Sequence, residues 1–295
     1  MKEHKKNTVN PVLKAAIWMI GAICSFSAMA VAGREVSFAL DTFEIMLFRS
    51  IVGVTIVVSA ALIFGTWRQI NKHQFGLHFA RNIMHFTGQN LWFYAVTVIP
   101  LAKVFALEFT SPIWVILLSP LLLGERLTMV RAIAAFMGFV GILIVARPDM
   151  AGINTGVMAA AASAVFFAFT TIFTKRLTRT QSITCILFYL TVLQLIFGLI
   201  MAGYDGDIAI PDAQTLPWLL LISVAGLLAH FCITKALAIA PATVVIPIDF
   251  IRLPVIAVIG MLVYSEAVDI WVFVGAAIIF AGNYLNIWVE TRKAA

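Results

Sequence analysis

Residues 100–125 read PLAKVFALEFTSPIWVILLSPLLLGE, and residues 241–266 read PATVVIPIDFIRLPVIAVIGMLVYSE. Each stretch is apolar enough to span a bilayer, yet each holds an acid and internal prolines. A proline inside a helix removes a backbone hydrogen bond, and a carboxylate in hydrocarbon is costly unless paired or hydrated. A shift of 141 residues carries Pro100 onto Pro241, Glu108 onto Asp249, Phe109 onto Phe250 and Glu125 onto Glu266. Two broken, acid-bearing apolar helices at matched places in two halves form the pattern of a binding site between internal repeats of a carrier.

The rest of the chain fits that frame. Its 295 residues are 62% hydrophobic and only 12% charged, with a mean hydropathy of +1.02. Too little charge is present to cover a water-exposed surface of this size, which leaves a polytopic helical membrane protein. The net charge of +6 comes mostly from bases in short connections between apolar runs, so it is no nucleic-acid footprint. Cys24, Cys185 and Cys232 all fall inside apolar segments and form neither a metal spacing nor a disulfide framework.

Ten apolar spans are expected near 12–32, 42–65, 77–98, 101–123, 128–146, 153–174, 183–203, 216–238, 242–264 and 268–289. Each is close to the ~20 residues that cross ~30 Å of hydrocarbon. Lys2, Lys5 and Lys6 before a run ending in Ala28-Met29-Ala30 imitate a cleavable signal peptide. The run is longer than such a peptide needs and has a counterpart at 156–175, so it reads as the first span. With the amino terminus inside, the inner connections collect most of the bases, including Arg68, Lys72, Arg126, Arg131, Lys175 and Arg179. The outer ones hold Arg34 and Arg147, and the outer loop near 204–215 carries only acids, at Asp205, Asp207 and Asp212. Both termini are therefore expected in the cytoplasm. Because five crossings invert the second copy, the expected fold is all-α with ten transmembrane helices arranged as two inverted five-helix repeats, 1–150 and 151–295.

Several motifs add a resemblance. FEIMLFRS at 43–50, LeuGlyGluArgLeu at 123–127 and GFVGILIVARP at 138–148, set in a halved chain, resemble the EamA type of the drug/metabolite transporter superfamily. The resemblance covers nearly the whole chain and implies a secondary transporter of the inner membrane, with export of an amino-acid-like or similar metabolite as the default direction. Uptake of a vitamin or nucleoside-like compound such as riboflavin is the alternative, and an intramembrane enzyme is a third reading. The enzyme would need clustered His/Asp, a Ser–base pair or a metal quartet at membrane depth, and none stands out. No GxxxxGK[ST] occurs, so drive must come from the substrate gradient, a counter-substrate or a coupled proton.

The candidate substrate-binding residues are the polar groups at membrane depth. Glu108 and Asp249 would bracket the midplane from opposite sides, with Arg252 on the face of Asp249 as a local ion-pair partner. Arg49, in the second span, could neutralise Glu108 or attract an anionic group. The third span carries Arg81, His85, Gln89 and Trp92 at spacings of three and four, with Asn82 and Asn90 beside them. Such a face cannot look at lipid, so His85, Gln89, Asn90 and Trp92 are cavity candidates, or else groups bonding between helices. Arg81 is expected to snorkel to the cytoplasmic edge. Lys103 is close enough to a helix end to do the same or to face the cavity. His85 and His230 lack ligand-spaced partners, so no metal or other cofactor is expected. Glu125 and Glu266 read as caps at the reversals after the fourth and ninth spans. Lipid is the expected surrounding, the cargo is the expected ligand, and oligomeric state is not legible in the sequence.

Overall fold

A computed structural model describes residues 10–99, 101–146, 154–204, 206–265 and 270–293. The helices are α1 (Pro11–Val36), α2 (Thr42–Ile63), α3 (Phe75–Val98), α4 (Leu101–Glu108), α5 (Ser111–Leu122) and α6 (Met129–Ala146). They continue as α7 (Thr155–Leu177), α8 (Ile183–Ala202), α9 (Thr215–Ile239), α10 (Ala242–Ile248), α11 (Arg252–Tyr264) and α12 (Ile270–Lys293). Counting α4 with α5 and α10 with α11, these segments fall where the ten apolar runs were expected.

Helix starts follow local chemistry. Asp41 caps α2 through the amides of Phe43 and Glu44, while Glu44 returns a bond to the amide of Asp41. This reciprocal box satisfies amides that the helix itself leaves free. Ser182, which is Asp41 shifted by 141, caps α8 through the amide of Cys185. Glu44 also reaches beyond its own helix, where its Oε1 accepts from the amide of Ala209 at 2.5 Å and ties the 204–215 connection to the start of α2.

Among the described residues, α1, α2, α7, α8, α9 and the segment Val244–Tyr264 are long and apolar enough to cross a membrane. The expectation of ten such helices is met only in part. The polar stripe lowers the hydropathy of α3, and the break after Glu108 leaves Ile113–Leu122 short. The outward-facing side chains are still apolar, with Leu62, Leu121 and Leu262 at 61%, 82% and 73% exposure, whereas Arg49, Arg81, Gln89, Glu108 and Arg252 are buried. Apolar residues outside and charges inside are what hydrocarbon demands. The chain is an all-α, multi-pass membrane protein.

Packing is dominated by four helix pairs: α1 with α9, α3 with α7, α2 with α8, and α6 with α12. Exchanging the first five spans with the last five maps this set onto itself. The α6–α12 pair owes its closeness to glycine. A Cβ on Gly141 would lie 2.7 Å from the carbonyl of Gly275, and one on Gly282 would lie 3.1 Å from that of Ala134. α1 packs along α9. Lys2, Lys5, Lys6, Arg147 and Glu266 lie outside the described residues.

Candidate functional site

The acids sit at helix breaks. α4 ends at Glu108 and α5 begins at Ser111, one residue before Pro112. A proline lacks the amide that a continuing helix would need but suits a first turn, so the chain stops and restarts there. In the other half α10 ends at Ile248, a 3-10 turn covers Asp249–Ile251, and α11 starts at Arg252. The sequence located the bends at the prolines themselves. The structure shifts the first break to just before Pro112, and α5 runs through Pro120 in its last turn.

Arg252 joins the two breaks. Its Nη2 donates to Glu108 Oε1 at 2.5 Å and to Asp249 Oδ2 at 2.9 Å. The local pair of Asp249 and Arg252 thus becomes a three-member bridge between the halves. Trp92 Nε1 donates to the other Glu108 oxygen at 2.6 Å, so both oxygens of that carboxylate are engaged. The guanidinium lies over the rings of Phe26 and Phe109, at 5.0 and 4.9 Å from their centroids. Among the described residues Asp249 Oδ1 and Arg252 Nε have no hydrogen-bond partner, so the bridge keeps free polar valence.

The α3 stripe forms the facing wall. Gln89 accepts a bond from Arg49 Nη1, and the guanidinium rests against Gly226, where a Cβ would come within 2.8 Å of Nη2. Arg49 therefore holds Gln89, and the expected neutralisation of Glu108 falls to Arg252. His85 meets His230 edge to face, with centroids 4.5 Å apart. Among the described residues neither His85 nitrogen has a hydrogen-bond partner, nor does His230 Nε2. Asn90 turns aside: its amide donates to the Phe86 carbonyl at 2.8 Å, and it does not line the cavity. The side chain of Lys103 lies outside the described residues.

Arg81 departs most from expectation. Instead of snorkelling it is 1% exposed and lines the cavity. Its Nε donates to Thr174 Oγ1 at 3.2 Å and its Nη1 to Asn82 Oδ1 at 3.1 Å. Asn82 is fixed in turn by Gln194 of α8, whose amide donates to the Asn82 carbonyl at 2.9 Å. α7 and α8 pack against α3, and their Thr174 and Gln194 hold Arg81 and Asn82 inside the bundle.

These side chains enclose a cavity of about 90 Å³ between α1, α3, α7, α9 and the two broken helices. That is room for several ordered waters and less than a drug-sized ligand fills. Part of the lining comes in pairs 141 residues apart, among them Phe26 with Phe167, Gln89 with His230, and Glu108 with Asp249. Arg81, His85 and Thr174 have no counterpart in the lining. Phe26 and His230 were not among the binding candidates read from the sequence, although the offset that relates the acids carries Phe26 onto Phe167 and Gln89 onto His230. Among the described residues no group of three or more His, Cys, Asp or Glu side chains gathers to hold a metal ion.

The EamA-like transporter family matches the chain twice, over residues 13–147 and again over 154–288. The chain belongs to the EamA-like transporter family. It is a transporter of the drug/metabolite superfamily and not an enzyme. Two curated relatives and one solved structure place it further. A riboflavin transporter of Vibrio cholerae serotype O1 is 30% identical over 288 residues, covering 96% of this chain and 95% of its own. An S-adenosylmethionine uptake transporter of Rickettsia felis is 23% identical over 275 residues, covering 93% of this chain and 92% of its own. A crystal structure with 16% sequence identity superposes with a TM-score of 0.77 over 95% of this chain and 99% of that one, which shows the shared fold.

Proposed function

We propose that this EamA-family protein is a secondary carrier that takes up a vitamin-like or nucleoside-like heterocycle by alternating access. The observation that carries the reading is the cavity, lined from both halves and in part by residue pairs 141 apart. Two five-helix repeats, 1–150 and 151–295, would rock around it in inverted orientation. The exchange-invariant helix packing supports that arrangement, as does the double family match, in which 13 moves to 154 and 147 to 288. The distribution of Lys and Arg supports an inner-membrane orientation with both termini in the cytoplasm.

The S-adenosylmethionine uptake transporter favours uptake over the export that the motifs alone made the default, and the riboflavin transporter favours a vitamin-like cargo. The aromatic walls suit a flat heterocycle, with Phe26, Phe167 and Trp92 as stacking surfaces and Gln89 as an amide to read ring polarity. A cavity of about 90 Å³ is smaller than such a cargo, so binding would require it to widen. The helix breaks at Glu108 and Asp249 are where it would do so. A proton or a counter-substrate would supply the drive.

Thermal unfolding of the detergent-purified protein against a panel of vitamins, nucleosides and amino acids tests the cargo class. A ligand that prefers the folded state raises the midpoint whatever the direction of transport. The expected result is a saturable rise with riboflavin or S-adenosylmethionine that is lost in Gln89→Ala. Stabilisation by amino acids alone would return the reading to an amino-acid-like cargo.

A further inference from the structure

The charges around the cavity are unevenly compensated. Arg252 faces two carboxylates, Glu108 and Asp249. Arg81, equally buried, meets only neutral acceptors, Thr174 Oγ1 and Asn82 Oδ1. Arg49, the next cation, bonds to Gln89 Oε1 and Met46 Sδ, also neutral. Among the described residues no carboxylate forms an ion pair with either. A guanidinium does not deprotonate in a protein, and a buried charge without a counter-charge is among the most expensive features a fold can carry. The internal acids are no remedy, because Arg252 already holds both.

The repeat does not require these cations either. Shifted by 141, Arg81 falls on Ile222 and Arg49 on Leu190. Symmetry therefore accounts for the paired walls and leaves Arg81 unexplained. Arg81 lies eleven residues before Trp92 on α3, about 16 Å along the axis. The cavity thus has an aromatic, acid-bearing end and a cationic end. Arg81 is positioned by two bonds and lines the space it faces, with its Nη2 bonded to no described residue.

We propose that Arg81 is an oxyanion-binding residue of the substrate site: the transported heterocycle carries a carboxylate or phosphate that docks on this guanidinium. The inference rests on the uptake reading above and narrows its cargo to anionic or zwitterionic members. That admits S-adenosylmethionine, with its carboxylate, and excludes riboflavin, which bears neither group. A planar guanidinium is suited to either group, because both present two oxygens to its fork of donors.

The test uses the full-length protein in detergent at constant ionic strength. Acetate and inorganic phosphate are each titrated against chloride while the unfolding midpoint is followed, in wild type, Arg81→Gln and Arg81→Lys. The expected result is saturable stabilisation by acetate or by phosphate, at least tenfold weaker in Arg81→Gln and partly retained in Arg81→Lys. Whichever anion saturates names the group the cargo bears. No saturable effect beyond chloride, or an unchanged response in Arg81→Gln, overturns the proposal. Should Arg81→Gln not fold, Thr174→Val, which removes the acceptor of Nε, is expected to weaken anion binding severalfold, and an unchanged response overturns it. Riboflavin and S-adenosylmethionine are titrated in parallel. If neither binds while the anion effect depends on Arg81, the anion site stands and the vitamin or nucleoside reading falls. If either binds with no anion effect, or if riboflavin alone binds and does so equally in Arg81→Gln, the uptake reading stands and the anion proposal falls.

Discussion

At the scale of single residues, Arg252 carries the most consequence. Glu108→Gln leaves it paired with Asp249 alone, and losing one charge-assisted bond from a buried network costs about 1.5–3 kcal/mol. Arg252→Gln strands two carboxylates at once and should cost more, about 3–5 kcal/mol. Thermal unfolding in detergent checks that order. Glu108→Gln and Asp249→Asn should each lose most transport while membrane insertion is retained, and full activity in both would remove the acids from the mechanism. Gly226→Ala should also reduce transport, because its Cβ displaces the guanidinium that holds Gln89. Normal uptake in that variant would show Arg49 to be a packing residue only. The sequence made Glu108, Asp249, Gln89 and Trp92 legible as polar groups at membrane depth. It could not reveal the partner of Glu108, since Arg252 lies 144 positions away and Arg49 was an equally good match by charge. It misjudged Arg81 because snorkelling depends on whether neighbouring helices cover the exit, and periodicity says nothing about coverage.

At the scale of elements, the connections between helices were the least legible feature. Glu125 was expected to cap a reversal within its own half. Its Oε1 instead accepts from the amide of Ala242 at 3.0 Å, capping α10 of the other half. Lys175 does the converse, donating to the carbonyls of Leu237 and Ala240 at the end of α9, and Arg179 donates to that of Leu123 after α5. Charged residues at chain reversals thus lock neighbouring helix ends, an outcome set by tertiary proximity that no local motif encodes. Glu125→Ala should lower stability by about 1 kcal/mol, the usual cost of a lost cap, read as a small drop in unfolding midpoint. Gly141→Ala should do more, about 1–3 kcal/mol, because its methyl meets the Gly275 carbonyl at the α6–α12 crossing and overpacking is resisted there. An unchanged midpoint in Gly141→Ala would mean that this crossing is looser than the geometry describes.

At the scale of the whole molecule, the 141-residue offset was the most informative sequence feature. It predicted which helices would break and where the acids would lie, and it relates the aromatic pair Phe26 and Phe167 across the cavity. What it could not supply was direction, because a symmetric scaffold works either way; the uptake reading comes from relatives. Topology is open to a direct check. A single cysteine at Ala209, on the tethered 204–215 connection, should react with a membrane-impermeant thiol reagent in intact cells. One at Thr178, at the end of α7, should react only after permeabilisation. The reverse pattern would invert the assigned orientation. The most direct test of the account is counterflow in proteoliposomes, with unlabelled riboflavin or S-adenosylmethionine inside and the same compound labelled outside. A carrier built around one central site predicts saturable accumulation of label for one of them, driven by the internal pool and abolished in Glu108→Gln. Flux that rises linearly with concentration, or no exchange of either compound, would contradict it.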